Sequence, residues 1–307
     1  MLTDGVEGPD APPEYTGPAL LSETGLYADL AAGTLAGGVL SYEVRYPLWA
    51  DGAEKSRFLL LPSGEPIDNA NADEWHFPVG TKAWKEFRVG TVRVETRYME
   101  KTGPERSDWQ RVAFVWREDG TDADATPDGL RDARGTAHDV PSTTQCLQCH
   151  VGAPDGLIGV SAYQIGAPDG DGTLAALQAA GRFTTAPASE YVVPGTGVVR
   201  DALAYLHSNC GQCHNNLHPI AEIRTMRLWL PVGLTAPQDA PVYQTAIGLT
   251  TYHVIGGTTV AIAAGDPDAS QVVARMSVRD ENQMPPIGTE IVDDAAVATI
   301  RAWIEGL

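Results

Sequence analysis

The stretch Val199-Arg200-Asp201-Ala202-Leu203-Ala204-Tyr205-Leu206-His207-Ser208-Asn209-Cys210-Gly211-Gln212-Cys213-His214 sets the reading of the chain. Val199, Leu203 and Leu206 recur at helical spacing and share one face of a helix that runs into Cys210. The helix meets Cys-x-x-Cys-His, the attachment signature of a c-type haem. Two thiols bond to the vinyl groups of one rigid ring, and the adjacent His lies under the porphyrin, where its imidazole can ligate iron. A second copy, Cys146-Leu147-Gln148-Cys149-His150, lies about 60 residues upstream, and the two copies use all four cysteines. The expectation is two covalently bound haem c groups. One is held by Cys146 and Cys149 with His150 proximal, the other by Cys210 and Cys213 with His214 proximal.

Other uses of four cysteines fit less well. Two Cys-x-x-Cys pairs this far apart exceed the usual zinc-ribbon spacing, and zinc gives no reason for a His after each pair. A thioredoxin-like redox motif would follow a strand and would not normally occur twice. Two disulfides in a secreted chain stay open as an alternative.

Toward the C-terminus, Asp293 or Asp294 can cap a last helix in which Val297, Ile300, Trp303 and Ile304 form an apolar stripe. Before it comes Gln283-Met284-Pro285-Pro286-Ile287-Gly288. Met284 is the choice for the distal ligand of the second haem, because two prolines stiffen the loop and lower the entropy cost of holding a thioether on iron. The competing role for Met284 is core filler. Met276, in the helix-like Val272-Val273-Ala274-Arg275-Met276, and Met226, twelve residues after His214, are the other candidates. His207 and His218 flank the motif and read as surface or local structural residues. His/Met ligation raises the reduction potential relative to bis-His, which suits electron transfer.

Toward the N-terminus the periodicity changes. From about 40 to 118 the chain reads as strands: Phe58-Leu59-Leu60-Leu61, then Val92, Val94, Thr96 and Tyr98 alternating with Arg93, Glu95 and Arg97, then Val112, Phe114 and Trp116. Five of the seven tryptophans (Trp49, Trp75, Trp84, Trp109 and Trp116) fall in this region. An aromatic-rich sheet is usually core, but it also makes a suitable haem wall. Residues 118–141 read as an acidic loop whose aspartates lack a full calcium-binding pattern. Residues 151–196 are rich in Gly and Pro. Gly-Ala-Pro-Asp-Gly occurs at 152–156 and again at 166–170, as two turns of similar chemistry, and Thr173 to Ala180 reads as a short helix stopped by Gly181. Residues 1–20 read as an extended arm and 23–32 as a short helix. The distal ligand of the first haem stays open among Met99, His76, His138, Lys82, Lys85 and an open sixth position.

The 307 residues suffice for two domains. The fold class is α+β: an antiparallel β domain over 1–195 carrying the first haem, then a helical domain over 196–307 carrying the second. The net charge of −19 argues against nucleic acid and anionic lipid, and permits steering toward a basic partner. Solubility in a secreted or salt-exposed setting explains the charge equally well. No apolar run approaches a membrane span. The first residues lack the basic end and apolar core of a signal peptide. Since haem c is attached outside the cytoplasm, the expectation is a periplasmic or secreted protein whose export signal has been removed.

The C-terminal part resembles class I cytochrome c domains through Cys210 to His214, Met284 and the last helix. More of the chain resembles a poorly characterised bacterial family of secreted dihaem c-type cytochromes. The matching stretches are Leu21 to Tyr27, Pro47 to Arg57, Phe77 to Thr81, Glu95 to Arg97, Tyr205 to Cys210, Gly265 to Pro267 and Met284 to Pro286. The β domain, with Phe77-Pro78-Val79-Gly80-Thr81-Lys82 ahead of its haem motif, is similar to the β-sheet c-type cytochromes. These include hydroxylamine-oxidising cytochromes with a lysine-crosslinked haem and β-type cytochromes c-prime. That resemblance implies an open distal side, with Lys82 or Lys85 as the crosslinking candidate. The leading functional expectation is an electron carrier passing single electrons between periplasmic redox proteins, such as a dehydrogenase and a terminal acceptor. The alternative is a haem enzyme acting on peroxide or a nitrogen oxide at the β-domain haem, with the second haem as relay. A gas-binding module is the third reading.

Overall fold

The computed structural model describes residues 15–307. Most of the expected N-terminal arm lies outside the described residues. The first half is a six-stranded antiparallel meander in sequence order: β3 (Leu40–Tyr42), β4 (Glu54–Leu60), β5 (Lys82–Val89), β6 (Val92–Lys101), β7 (Trp109–Trp116) and β8 (Ala123–Ala125). The expected alternation places Phe58, Trp84, Tyr98 and Val112 opposite one another on one face, where Phe114, Trp116, Leu21 and Leu26 complete an aromatic core.

The segment 23–32 is not a helix. Leu21–Thr24 form a single 3-10 turn, Gly25 leaves it at φ 83°, and β1 (Tyr27–Asp29) pairs with β2 (Thr34–Leu35). The local apolar spacing was overridden by Leu26, which must plug the sheet face, and by Thr24, whose hydroxyl accepts from the Trp84 indole at 2.9 Å.

The other sheet face joins the second half. Leu59, Ala83 and Met99 belong to one apolar cluster with Tyr163, Leu203, Leu206, Ile300 and Trp303, so a continuous core runs through position 195. The helices are α1 (Thr143–His150), α2 (Ala162–Ile165), α3 (Thr173–Ala179), α4 (Gly197–Asn209), α5 (Pro241–Thr245), α6 (Gln271–Met276) and α7 (Asp294–Glu305). Helices α4 and α7 pack against each other, as the apolar stripes require. The Asp293 carboxylate accepts from the Ala296 amide at 3.0 Å and caps α7.

The second half is not wholly helical. β9 (Thr250–Ile255) and β10 (Thr258–Val260) form a hairpin around Gly256-Gly257, both at positive φ, the Gly-Gly turn that suits a two-residue loop. Among the described residues no helix is long and apolar enough to cross a membrane.

Candidate haem-attachment sites

The first motif occupies α1. Ser142 and Gln145 build a reciprocal capping box, with the Gln145 amide donating to Ser142 Oγ at 3.2 Å and the Ser142 amide to Gln145 Oε1 at 2.9 Å. Cys146 and Cys149 therefore lie three residues apart on one side of a capped turn packed on β7. His150 closes the helix and its Nδ1 donates to the Gly156 carbonyl at 2.7 Å. That bond leaves Nε2 as the lone-pair nitrogen, the state a metal ligand needs. Burial, and then the charges of Arg111, Lys85 and Arg97, push the His150 pKa down to about 3 and keep the ring neutral. Gly156 sits at φ 74°, and a Cβ there would lie 2.7 Å from the Arg106 carbonyl.

The second motif begins as α4 ends. The Cys213 and His214 amides donate back to the Cys210 carbonyl at 3.1 and 2.9 Å, extending the helix by one turn. Gly211 lies against the helix, where a Cβ would come 2.5 Å from the His207 carbonyl. Burial lowers the His214 pKa to about 4, and its buried Nδ1 has no hydrogen-bond partner among the described residues. The Arg275 charge reaches His214, and the Arg275 carbonyl accepts from the Met284 amide at 3.0 Å. This ties the Met284 loop to the end of α6. Met284 is half-buried outside the apolar clusters, whereas Met276 is part of the core and Met226 packs against it.

The two motifs touch. The Cys213 thiol donates to the Gln148 carbonyl at 3.6 Å. His218 Nε2 donates to the Gln148 carbonyl at 2.8 Å, and Asn215 Nδ2 donates to the Gly152 carbonyl at 3.0 Å. Gly152 is obligatory here, since a Cβ would fall 1.9 Å from the Gln212 carbonyl. His218 thus acts as the bridge between motifs, and His207 is a core residue. His207 Nδ1 accepts from the Leu230 amide at 3.1 Å, and its ring lies 4.4 Å from Trp229.

The candidates for the first distal ligand separate by face. Lys82 points to the aromatic face away from α1, donating to the Thr24 carbonyl at 3.1 Å. Met99 is buried in the core. His138 is buried with Nε2 2.7 Å from Glu95 Oε1, and His76 is exposed with Nδ1 3.9 Å from Asp155. Lys85 alone among the lysine candidates shares the sheet face of the first motif. The loop aspartates are spent locally: Asp122 accepts from Ser22 at 2.6 Å, Asp124 pairs with Arg117 at 2.6 Å, and Asp119 accepts from Thr121.

These residues fit covalent haem. All four thiols are free of disulfides and half-buried, and each motif histidine is held neutral. Among the described residues, no three His, Cys, Asp or Glu side chains converge as a metal cluster. Gln145, beside Cys146, and Gln283, beside Met284, line one cleft of about 360 Å³. Three features were not anticipated from the sequence: the Gly156 carbonyl, the Asn215 and His218 bridges, and a row of cations on the sheet. The Ser142-x-x-Gln145 capping signature could have revealed α1; the bridges are long-range and leave no local signal. No protein-family profile, curated protein or solved structure matches the chain.

Proposed function

We propose that this chain is a dihaem c-type cytochrome carrying single electrons between redox proteins outside the cytoplasm. The observation that carries the proposal is the direct contact of the two Cys-x-x-Cys-His segments through Gln148, Gly152, Cys213, Asn215 and His218. Two attachment points locked together make one assembly in which an electron can pass internally. Haem c, when bound, supplies a one-electron iron couple. The chain supplies the rest. Cys146, Cys149, Cys210 and Cys213 anchor the groups. His150, oriented by Gly156, and His214 present ring nitrogens to iron. Met284 offers a thioether from a loop tied to Arg275.

The resemblance of the second half to class I cytochrome c domains supports the same reading. The partners are proposed to be a dehydrogenase and a terminal acceptor in the periplasm. A net charge of −19 favours basic docking faces on them.

The test is the mass of the purified protein, followed by its ferric electron paramagnetic resonance spectrum and carbon monoxide binding after reduction. Two haem adducts, two low-spin signals and no gas binding are expected. A bare chain, or one lighter by the two hydrogens of a Cys149–Cys213 disulfide, overturns the proposal. A high-spin haem that binds carbon monoxide replaces the carrier with the enzyme reading, and turnover with peroxide and nitrogen oxides becomes the next measurement.

A further inference from the structure

The sheet face under the first motif is built against electrostatic expectation. Arg57 on β4, Lys85 on β5 and Arg97 on β6 are direct cross-strand partners, a row of three like charges. Lys55 follows two residues from Arg57 on β4, and Arg111 lies on β7 opposite Met99. Six of the chain's 21 Lys and Arg residues thus lie on one face of a protein of net charge −19, the sixth being Lys101 further along β6, which pairs with Asp155. Like charges directly opposed across strands destabilise a sheet, and buried cations are normally paired.

The carboxylates available are few. Glu95 pairs with Arg97 at 2.5 Å and is shared with His138, while the exposed Glu43 reaches Arg57 at 3.3 Å. Lys55, Lys85 and Arg111 pair with no carboxylate among the described residues, and the buried Arg111 Nε has no partner at all. Burial first, then the neighbouring cations, depress Lys55 to about 6 and Lys85 to about 7. Such a face is matched to an anion.

Position identifies the anion. The Arg97 charge reaches both Cys146 and Cys149, and the charges of Arg111 and Lys85 reach His150. Helix α1 lies on β7, and from β7 to β4 are three inter-strand steps, roughly 14 Å. That is the scale of a porphyrin from its vinyl edge to its carboxylate edge.

Resting on the dihaem reading, we propose that Lys55, Arg57 and Lys85 form the carboxylate-binding site for the two propionates of the first haem, which lies across strands β7 to β4. The cations are positioning residues. They neutralise the propionates, and the propionates relieve the mutual repulsion of the cations.

The experiment compares Lys85→Gln, Arg57→Gln and the charge-conserving Lys85→Arg with wild type in the intact holoprotein, by haem count from mass and by potentiometric titration of both haems. Arg117→Gln, whose exposed side chain pairs with Asp124 on the edge strand β8, is the control. Removing a cation beside a haem favours its oxidised form. Each Gln variant should keep two haems and shift the equilibrium of one haem by about tenfold toward oxidised iron, a fall of about 59 mV for a one-electron couple. The other haem should not move, and Lys85→Arg should stay near wild type. If the Gln variants cannot be purified folded, the Lys85→Arg and Lys55→Arg proteins decide by the resonance Raman bands of the propionates. Bands displaced in these variants support the site, and bands identical to wild type overturn it. Two haems with neither potential displaced in the Gln variants also overturn it, while leaving the dihaem reading intact. A chain without haem overturns both, and the mass alone reveals that case.

Discussion

The two Cys-x-x-Cys-His segments are alike in chemistry and unlike in setting. The first rides on a sheet face crowded with cations, and its histidine is steered by the carbonyl of Gly156. The second ends a helix, α4, set into the main apolar core, and its His214 Nδ1 is buried without a partner among the described residues. Around the first site charge and backbone geometry do the positioning, and around the second, packing does. Equal motifs can therefore be tuned apart by what surrounds them.

That contrast can be broken by substitutions aimed at one side. Trp303 is fully buried between α7 and α4, with its indole donating to the Tyr243 hydroxyl at 3.1 Å. Trp303→Ala should cost about 3–5 kcal/mol, read as a lowered urea midpoint by circular dichroism. The loss should come with a disturbed second-haem spectrum and an intact first-haem spectrum. Equal disturbance of both would show that packing governs the two sites alike.

A pH titration addresses the same side. Burial lowers the His207 pKa to about 4 from an ordinary 6.5, so the unfolded chain binds the extra proton first as pH falls. Stability from this group is complete above about pH 6.5 and is lost as pH drops toward 4, by about 3 kcal/mol. His207→Asn, which keeps an acceptor for the Leu230 amide, should flatten urea midpoints measured across that window. An unchanged slope would assign the acid loss elsewhere.

On the first side, Gly156→Ala places a side chain at φ 74° against the Arg106 carbonyl and should cost roughly 1–3 kcal/mol while displacing His150. The expected readout is a changed potential at one haem. Gly170→Ala, in the other copy of the pentapeptide, should cost less than about 1 kcal/mol, because Gly170 is exposed and needs no positive φ. Asp293→Ala should cost about 1 kcal/mol from loss of the α7 cap, visible as a lowered urea midpoint with both spectra preserved.

The strand at Val92 to Tyr98, the stripe through Val199, Leu203 and Leu206, and the Asp293 cap were legible because each is a local pattern with one dominant solution. The strand's alternation, however, breaks at a bulge: Val92 and Val94 pack with Ala113 and Val115 on the face opposite Tyr98. The segment 23–32 misled because Gly25 and the distant Trp84 decide its path. The hairpin at 250–260 carried its own Gly-Gly signal, which the helical context obscured. The Pro47 to Arg57 stretch gains its meaning only in three dimensions. The Trp49 amide donates to Asn209 Oδ1 at 2.7 Å, and Asp51 Oδ1 accepts from Glu290 and Ile291 at 2.8 and 2.9 Å, fastening the sheet to the helix before one motif and to the loop after Met284. The cations looked like the polar half of an ordinary alternating strand. Only the register shows that three of them face one another.

The pentapeptide repeat holds a similar lesson. Both copies close the same turn, Gly156 to the Ala153 carbonyl at 3.2 Å and Gly170 to the Ala167 carbonyl at 3.0 Å. In the first, Asp155 is buried, accepting from the Phe77 amide at 2.6 Å and paired with Lys101. In the second, Asp169 is on the surface with Arg45.

The contact between the two motifs has a kinetic consequence. Asn215 and His218 clamp one segment to the other, so passage of an electron between the sites would involve no hinge and no encounter. Its rate would be independent of protein concentration and nearly indifferent to salt. The dependence on salt and on concentration would belong to the outer steps, where a strongly acidic surface meets its partners.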